Sequence, residues 1–540
     1  MFFLNYQNAA LWENNAKIKR LVEIGKPQLA FLYSNIQTFK TSEERKYMLL
    51  AQKYYVNENK ILERKRTFID RLGKVTELQN LSNSKIPHPF LRKLTLQKVN
   101  YLLARPFTVN SDNDAVPEAL KPYLSLDFYK TLRVLGQHAI INGITWLQPY
   151  YNEVGELKIK RIPSEEILPF WSNSDRTELD GVLRSYQVLH HLADGSQTTV
   201  EKVEYHTLKG VWYFEMNDKG LVNDPERGGE WKGHFNVSIQ KRDEEGNGLK
   251  DEAGNVQTET IQATWDRLPF IPFKYNNDEL SLLKLVEAMV DDYDINTSDT
   301  SNNLQDVPNS IKVVRNYDGQ DKEEFTRNVN TFRTAFVSGD GDMTAIDTPL
   351  DIQAIEGHLT RLRKDIYEAG NGVDTQDANL GNASGVALRF RYADLDIDMD
   401  GMATEFSSSL GQLFWFFFKD IANKAGTDYT GEDYDIVFNT EGIVNEVEII
   451  SACKASVGVI SDETILANHP WVINVADEQE RMTKQRESAI LEAQTMMLAT
   501  TPEFGAPLQA GTGDEQAKAM AQKKAAQGQG TQPIPPKPGV

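Results

Sequence analysis

The chain has 540 residues, a formal net charge of −20 and a pI near 5.0, long enough for several domains with substantial cores. Its acidity excludes a protein that grips nucleic acid through clustered Lys and Arg, because such binding exchanges counterions along the phosphates. An acidic wall that DNA slides past is not excluded. The lone Cys453 rules out an internal disulfide framework and suits a reducing compartment.

Met1-Phe2-Phe3-Leu4 lacks the basic flank and long apolar core of a signal peptide. Residues 1–143 read as mostly helical, with charged and apolar positions mixed at helical spacing from Thr41 to Gly73. Residues 144–275 change character. Short runs such as Ile144–Leu147, Leu157–Lys160 and Val211–Phe214 are broken by Gly, Asn and Asp, which predicts antiparallel hairpins. Residues 243–256, with glycines among acids, read as an exposed loop.

A helix begins near Asp278, with Leu282, Val286, Met289, Val290 and Tyr293 on one side. Its continuation, Asn296 to Asn303, is polar all round and rich in poor helix formers. It is either a loop or a helix held by neighbouring subunits. Between Pro308 and Pro349 the pattern gives a strand (Ile311 to Val314), a short helix (Lys322 to Arg333) and two strands around Gly339–Asp342. An insert of about 40 residues without disulfide or metal is marginal alone and is expected to complete its core against other copies.

The next helix opens at Thr348-Pro349-Leu350-Asp351: a capping hydroxyl, proline at the first helical position and an acid in the first turn. Ile352, Ile355, Leu359, Leu362 and Ile366 form one narrow apolar seam, and Gly370 and Gly372 stop the helix. The loop Val373 to Leu380 has no strong pattern. Helix resumes after Gly381-Asn382-Ala383-Ser384 and is expected to reach Ala425, about 60 Å at 1.5 Å per residue. In it, Leu413 to Phe418 is the longest strongly apolar run, far too short to cross a bilayer and best read as buried helix core. The expectation is a soluble intracellular protein. Beyond Pro502 the composition turns to Ala, Gln, Gly, Lys and Pro, which predicts a disordered tail.

The sharpest chemical candidate is Asp394-Leu395-Asp396-Ile397-Asp398-Met399-Asp400-Gly401 with Glu405, which resembles a calcium loop. Counted from Asp394, Glu405 falls on the acid position but Met399 takes the glycine position. Counted from Asp396, Gly401 fits but Ser407 replaces the bidentate acid. Leu395, Ile397 and Met399 suit packing, so an acidic stretch of helix without metal is the preferred reading. Gly370-Asn371-Gly372 lacks the pattern of a dinucleotide turn, and His190-His191 reads as structural. No cofactor is called for.

Several stretches resemble a known family. Lys85–Phe90 through Leu103-Ala104-Arg105-Pro106, Ser298–Thr300 through Asp306, Gly381–Leu388, and Ile460–Thr464 through Asn468–Val472 are similar, in order, to signatures of siphophage portal proteins, the head-to-tail connectors of tailed bacteriophages. The resemblance implies an α+β, multi-domain chain assembled as a ring, usually a dodecamer, at one capsid vertex. Residues 1–274 would be the first part of the wing, 275–307 and 351–371 the stem helices, and 308–350 the clip. Residues 372–383 would be the tunnel loop, 384–445 the long helix and remaining wing, 446–500 the crown, and 501–540 the tail. Implied partners are other copies of the chain, double-stranded DNA, the terminase, major capsid and scaffolding proteins, and a head-completion or adaptor protein, with no membrane. The portal is not an enzyme in that family; ATP hydrolysis belongs to the terminase.

That frame also implies site residues. Asp321, Lys322, Glu323 and Glu324 are expected on the clip's docking surface. Val373, Asp374, Thr375, Gln376, Asp377, Ala378, Asn379 and Leu380 are expected to form a mobile constriction. Asp374 and Asp377 would make a negative collar, Gln376 and Asn379 would offer transient hydrogen bonds, and Leu380 is either exposed or anchored to the following helix. The competing readings are a metal-dependent enzyme centred on Asp394 to Glu405 and a cytosolic helical scaffold.

Overall fold

The computed structural model describes residues 28–69, 73–77, 82–191, 195–229, 231–240, 257–305, 310–315, 340, 342–347, 351–376, 385–439, 446–472 and 474–500. The chain is α+β, as expected, and divides into two compact units, Met1–Val444 and Asn445–Val540.

Helices α1 (Leu29–Thr41) and α2 (Glu43–Tyr55) are separated by Ser42, whose extended backbone ends the first and whose hydroxyl accepts from Arg45 N to cap the second. Helix α3 (Phe90–Leu103), the short α4 (Ala115–Leu120) and α5 (Leu126–Asn142) complete the helical start. It is interrupted by a small hairpin, Thr67–Ile69 on Val75–Glu77, and by Thr108–Asn110, which pairs far along the chain with Asp435–Val437. Helix α5 ends at Gly143, whose φ is +85° and where a Cβ would lie 2.0 Å from the Glu279 carbonyl oxygen. Only glycine fits there.

The hairpins expected from 144 onward are present. Ile144–Tyr151 is the centre of a three-stranded antiparallel sheet between Ile271–Lys274 and Leu157–Ile162. A five-stranded antiparallel meander runs from Ile167–Trp171 to Gly220–Asn223. Helix α1 lays Leu32 and Ile36 on its apolar face, against Phe170, Leu183, Val203, Tyr205 and Trp212. Phe235–Gln240 pairs with Thr258–Ala263; the intervening loop lies outside the described residues.

Helix α6 spans Leu283–Gln305, so the polar continuation is helical. It is held from within the chain. Asp294, Ser298 and Asn302 are fully buried, one per helical turn along a single face. They accept in turn from the backbone of an extended segment: His88 N to Asp294 Oδ1 at 2.9 Å, Ile86 N to Ser298 Oγ at 3.0 Å, and Ser84 N to Asn302 Oδ1 at 2.6 Å. Asp294 also accepts from the His88 ring at 2.7 Å and from Asn59 Nδ2 at 2.6 Å.

Beyond α6, Ser310–Arg315 pairs antiparallel with Asp342–Asp347, which places the expected strand at 311–314 and the one that comes after Gly341. The predicted helix Lys322–Arg333, with Asp321, Lys322, Glu323 and Glu324, lies outside the described residues. Helix α7 (Ile352–Ala369) starts later than expected. Asp351 is its cap, accepting from Ala354 N at 3.0 Å, in place of Thr348. Helix α8 (Gly385–Ala425) is 41 residues long, as its pattern predicts. Leu395, Met399, Met402, Phe406, Leu410, Leu413 and Phe417 are its buried stripe. The aromatic run Leu413–Phe418 is core, with Trp415 partly covered. Ile397, expected to pack, is 71% exposed because helical periodicity turns it away from Leu395 and Met399.

The second unit contains α9 (Glu446–Ala455), α10 (Asp462–Ala467) and α11 (Val475–Thr500). Ser461 caps α10 by accepting from Thr464 N. Val459 and Trp471 are exposed, while Cys453 is buried. No described helix is long and apolar enough to cross a membrane.

Ser298→Ala leaves the Ile86 N–H without its acceptor and is expected to cost about 1–2 kcal/mol, with Asp294→Ala costing about 3 kcal/mol or more because it strands several donors. Urea denaturation of the full chain measures both. Losses no larger than those of exposed-surface substitutions would show that the stripe does not hold the helix.

Candidate functional site

The predicted constriction begins where α7 ends. Helix α7 closes with a left-handed residue that is not one of the two glycines: Asn371 has φ 46°. Gly372 N donates to Tyr367 O at 2.8 Å and Asn371 N to Glu368 O at 3.1 Å, the bond pair of a Schellman stop. Gly370 and Gly372 are needed for a different reason. A Cβ on Gly372 would sit 2.2 Å from Leu94 Cδ2, and one on Gly370 would sit 2.8 Å from Leu94 Cδ1. They let α3 approach the chain closely.

Helix α3 then takes hold of the loop base. Gln97 donates from Nε2 to Val373 O at 3.1 Å and accepts from Val373 N at 3.0 Å, satisfying both backbone groups of that residue. Val373 is itself buried. Lys98, with no exposed surface, donates from Nζ to Asn371 O at 3.2 Å and to the Asp398 carboxylate of α8. Tyr275 OH donates to the same carboxylate at 2.7 Å. Burial pushes the Lys98 pKa below its ordinary value, against the pull of Asp398, and burial also raises Tyr275 so that it remains a donor. One turn further on, Tyr101 OH donates to Asp396.

Asp374 is not a free carboxylate. Arg363 of α7 grips it with Nε at 2.6 Å and Nη2 at 2.8 Å, and Asp374 Oδ1 accepts from Gln376 N at 3.0 Å. The hydrogen bonds from Arg363 hold the Asp374 carboxyl below the ordinary carboxylate range. Of the expected constriction, Val373 is bonded to Gln97 and Asp374 to Arg363, while Thr375 and Gln376 are exposed. Asp377, Ala378, Asn379 and Leu380 lie outside the described residues.

The acidic run Asp394–Glu405 is helical and its members diverge. Asp396 and Asp398 face α3 and take Tyr101 and Lys98, while Asp394 and Asp400 are exposed. Among the described residues no three His, Cys, Asp or Glu side chains are grouped to hold a metal. Arg363, Gln97 and Lys98 are site residues that sequence patterns did not single out. One signal was available: Leu91, Leu94, Lys98 and Leu102 share a helical face, which puts a lysine on an apolar stripe.

The family described as phage portal protein, SPP1 Gp6-like, matches residues 40–491. The chain belongs to this family. A portal protein of Bacillus phage SPP1 is 27% identical over 443 residues, covering 81% of this chain and 83% of that protein. A portal protein of Clostridium phage phiCD119 is 27% identical over 458 residues, covering 82% of this chain and 93% of that one. Among solved structures, a chain from the neck of a native GTA particle computed with C12 symmetry is 12% identical, with a TM-score of 0.36 over 71% of this chain and 90% of that one. The stretches that carry the resemblance, from Lys85 to Val472, all fall inside the residues that the portal family matches.

The Arg363–Asp374 fork has a definite pH sign. A lowered carboxyl pKa contributes stability that is complete above the unfolded value near 3.9 and lost as pH falls through the folded value. Exchange of the Gln376 amide, relative to its intrinsic rate, should rise as pH falls below about 4, and Asp374→Ala should raise it at neutral pH. An Asp374→Ala chain with wild-type protection at Gln376 would contradict the fork.

Proposed function

We propose that this chain is the subunit of a closed ring, a dodecamer, at one vertex of a phage capsid, through which double-stranded DNA is packaged and later ejected. The role is structural and not enzymatic. Helices α6 and α7 are the stem, residues 308–350 the clip, 372–383 the tunnel loop, and 446–500 the crown. The clip receives the terminase during packaging and a head-completion or adaptor protein afterwards, and the outer parts meet capsid and scaffolding proteins.

The observation that carries this reading is the order of parts inside one family match. A long helix, a small insert whose described residues form a strand pair, a second long helix, a loop clamped at its base and a 41-residue helix succeed one another within residues 283–425. A second feature supports the ring. The seam of α7 is buried only toward its C-terminal end, at Leu362 and Ile366, whereas Ile352 is 54% exposed. An apolar seam left open at one end of a helix is what a neighbouring copy covers.

Native mass measurement with negative-stain imaging of the purified chain tests the ring. Closed particles with a central hole are expected, and protein that stays monomeric at micromolar concentration would overturn it. Ile352→Asp should lower the ring fraction while leaving the folded chain intact. Charge reversal at Asp321, Glu323 and Glu324 should reduce terminase binding by preassembled rings and spare assembly. Rings that fall apart with motor binding unchanged would move that segment to the subunit interface.

A further inference from the structure

One face of α3 meets two structures at once. Leu94 occupies the space that Gly370 and Gly372 leave open, Gln97 satisfies Val373, and Tyr101 reaches Asp396 of α8. Lys98 sits between these contacts and touches both sides, Asn371 O at the loop base and Asp398 on α8. These positions are three and four residues apart, so they project from a single stripe of the helix.

The geometry restricts how the loop base can move. A buried ammonium that loses its oxygen partners is costly, on the order of several kcal/mol, so Lys98 cannot release them without a large penalty. Shifting residues 371–373 away from α8 must break either the carbonyl contact or the carboxylate contact. Both flanking glycines lie against Leu94 of α3, so a shift there displaces that contact as well. Asp374, bound to Arg363, extends the fixed part to Gln376 N.

We propose that Gln97 and Lys98 are positioning residues that lock the loop base to the long helix α8, so that residues 371–374 and α8 move as one body when DNA passes. This rests on the portal reading for its use, though not for its existence. A load applied at the loop is delivered to α8 through Lys98 and is not absorbed at the glycines. The side chains that set the constriction's position therefore lie outside the loop, on a helix more than 270 positions earlier in the sequence.

Two variants separate the lock from general stability. Gln97→Met keeps the volume of a half-buried side chain and removes both bonds to Val373. Lys98→Met combined with Asp398→Leu removes both charges together, which avoids stranding either one. Residue-resolved amide exchange on the full chain reads the clamp whether or not rings form. The Val373 amide should exchange about tenfold faster or more in Gln97→Met, with Ile366 of α7 unchanged. Unchanged protection at Val373 would overturn the clamp. DNA packaging by assembled rings reads its use. The double variant should assemble normally, show faster exchange across residues 371–376 and package DNA more slowly. Faster exchange with wild-type packaging would overturn the role in DNA passage while leaving the ring in place.

Discussion

An extended segment laid along a polar helix face satisfies the buried acceptors of α6, and the contacts around the loop follow from it. Two residues of extended chain advance about 6.6 Å and four residues of helix about 6.0 Å, so alternate strand positions can meet successive helical turns. Ser84, Ile86 and His88 supply backbone N–H groups at the first spacing, and Asn302, Ser298 and Asp294 supply acceptors at the second. Pro87 and Pro89 occupy alternate positions between and beyond the donors. They have no N–H to satisfy and favour an extended backbone at the residue before each. The same requirement explains the composition of α6. Its inner face must carry short side chains with an acceptor, and those are poor helix formers.

The strand also positions everything near the loop, through the helix it leads into. The chain turns directly into α3, where Phe90 packs edge-to-face on Tyr293 of α6 at 5.1 Å and on Tyr367 of α7 at 6.2 Å. Further along α3, Gln97 and Lys98 fix residues 371–373, and Lys98 and Tyr101 reach α8. Residues 84–103 thus connect helices α6 and α7, the loop base and the long helix α8. A displacement of this segment on α6 would be felt at the loop through α3, because α3 follows it directly and contacts the loop base.

Regular periodicity was the legible part of the sequence. The helix expected after Gly381–Ser384 runs to Ala425 as read, and the broken runs after Ile144 announced the antiparallel hairpins. Tertiary pairing was not legible. Residues 296–303 read equally as loop because their acceptors are matched by a strand more than 200 positions earlier. Asp374 looked like a free collar charge because nothing local marks Arg363 as its partner, and Gly370 and Gly372 were read only as a helix stop because the close approach of Leu94 has no sequence signature. Lys98 was visible as a charge on an apolar stripe, a pattern that calls for a buried partner.

The most direct test of this account is residue-resolved amide exchange across Ser84–His88. The strand-on-helix arrangement predicts slow exchange at Ser84, Ile86 and His88, comparable to the interior of α6, and fast exchange at Lys85 between them. Uniformly fast exchange along the segment while α6 stays protected would contradict it, and with it the chain of contacts that positions the loop.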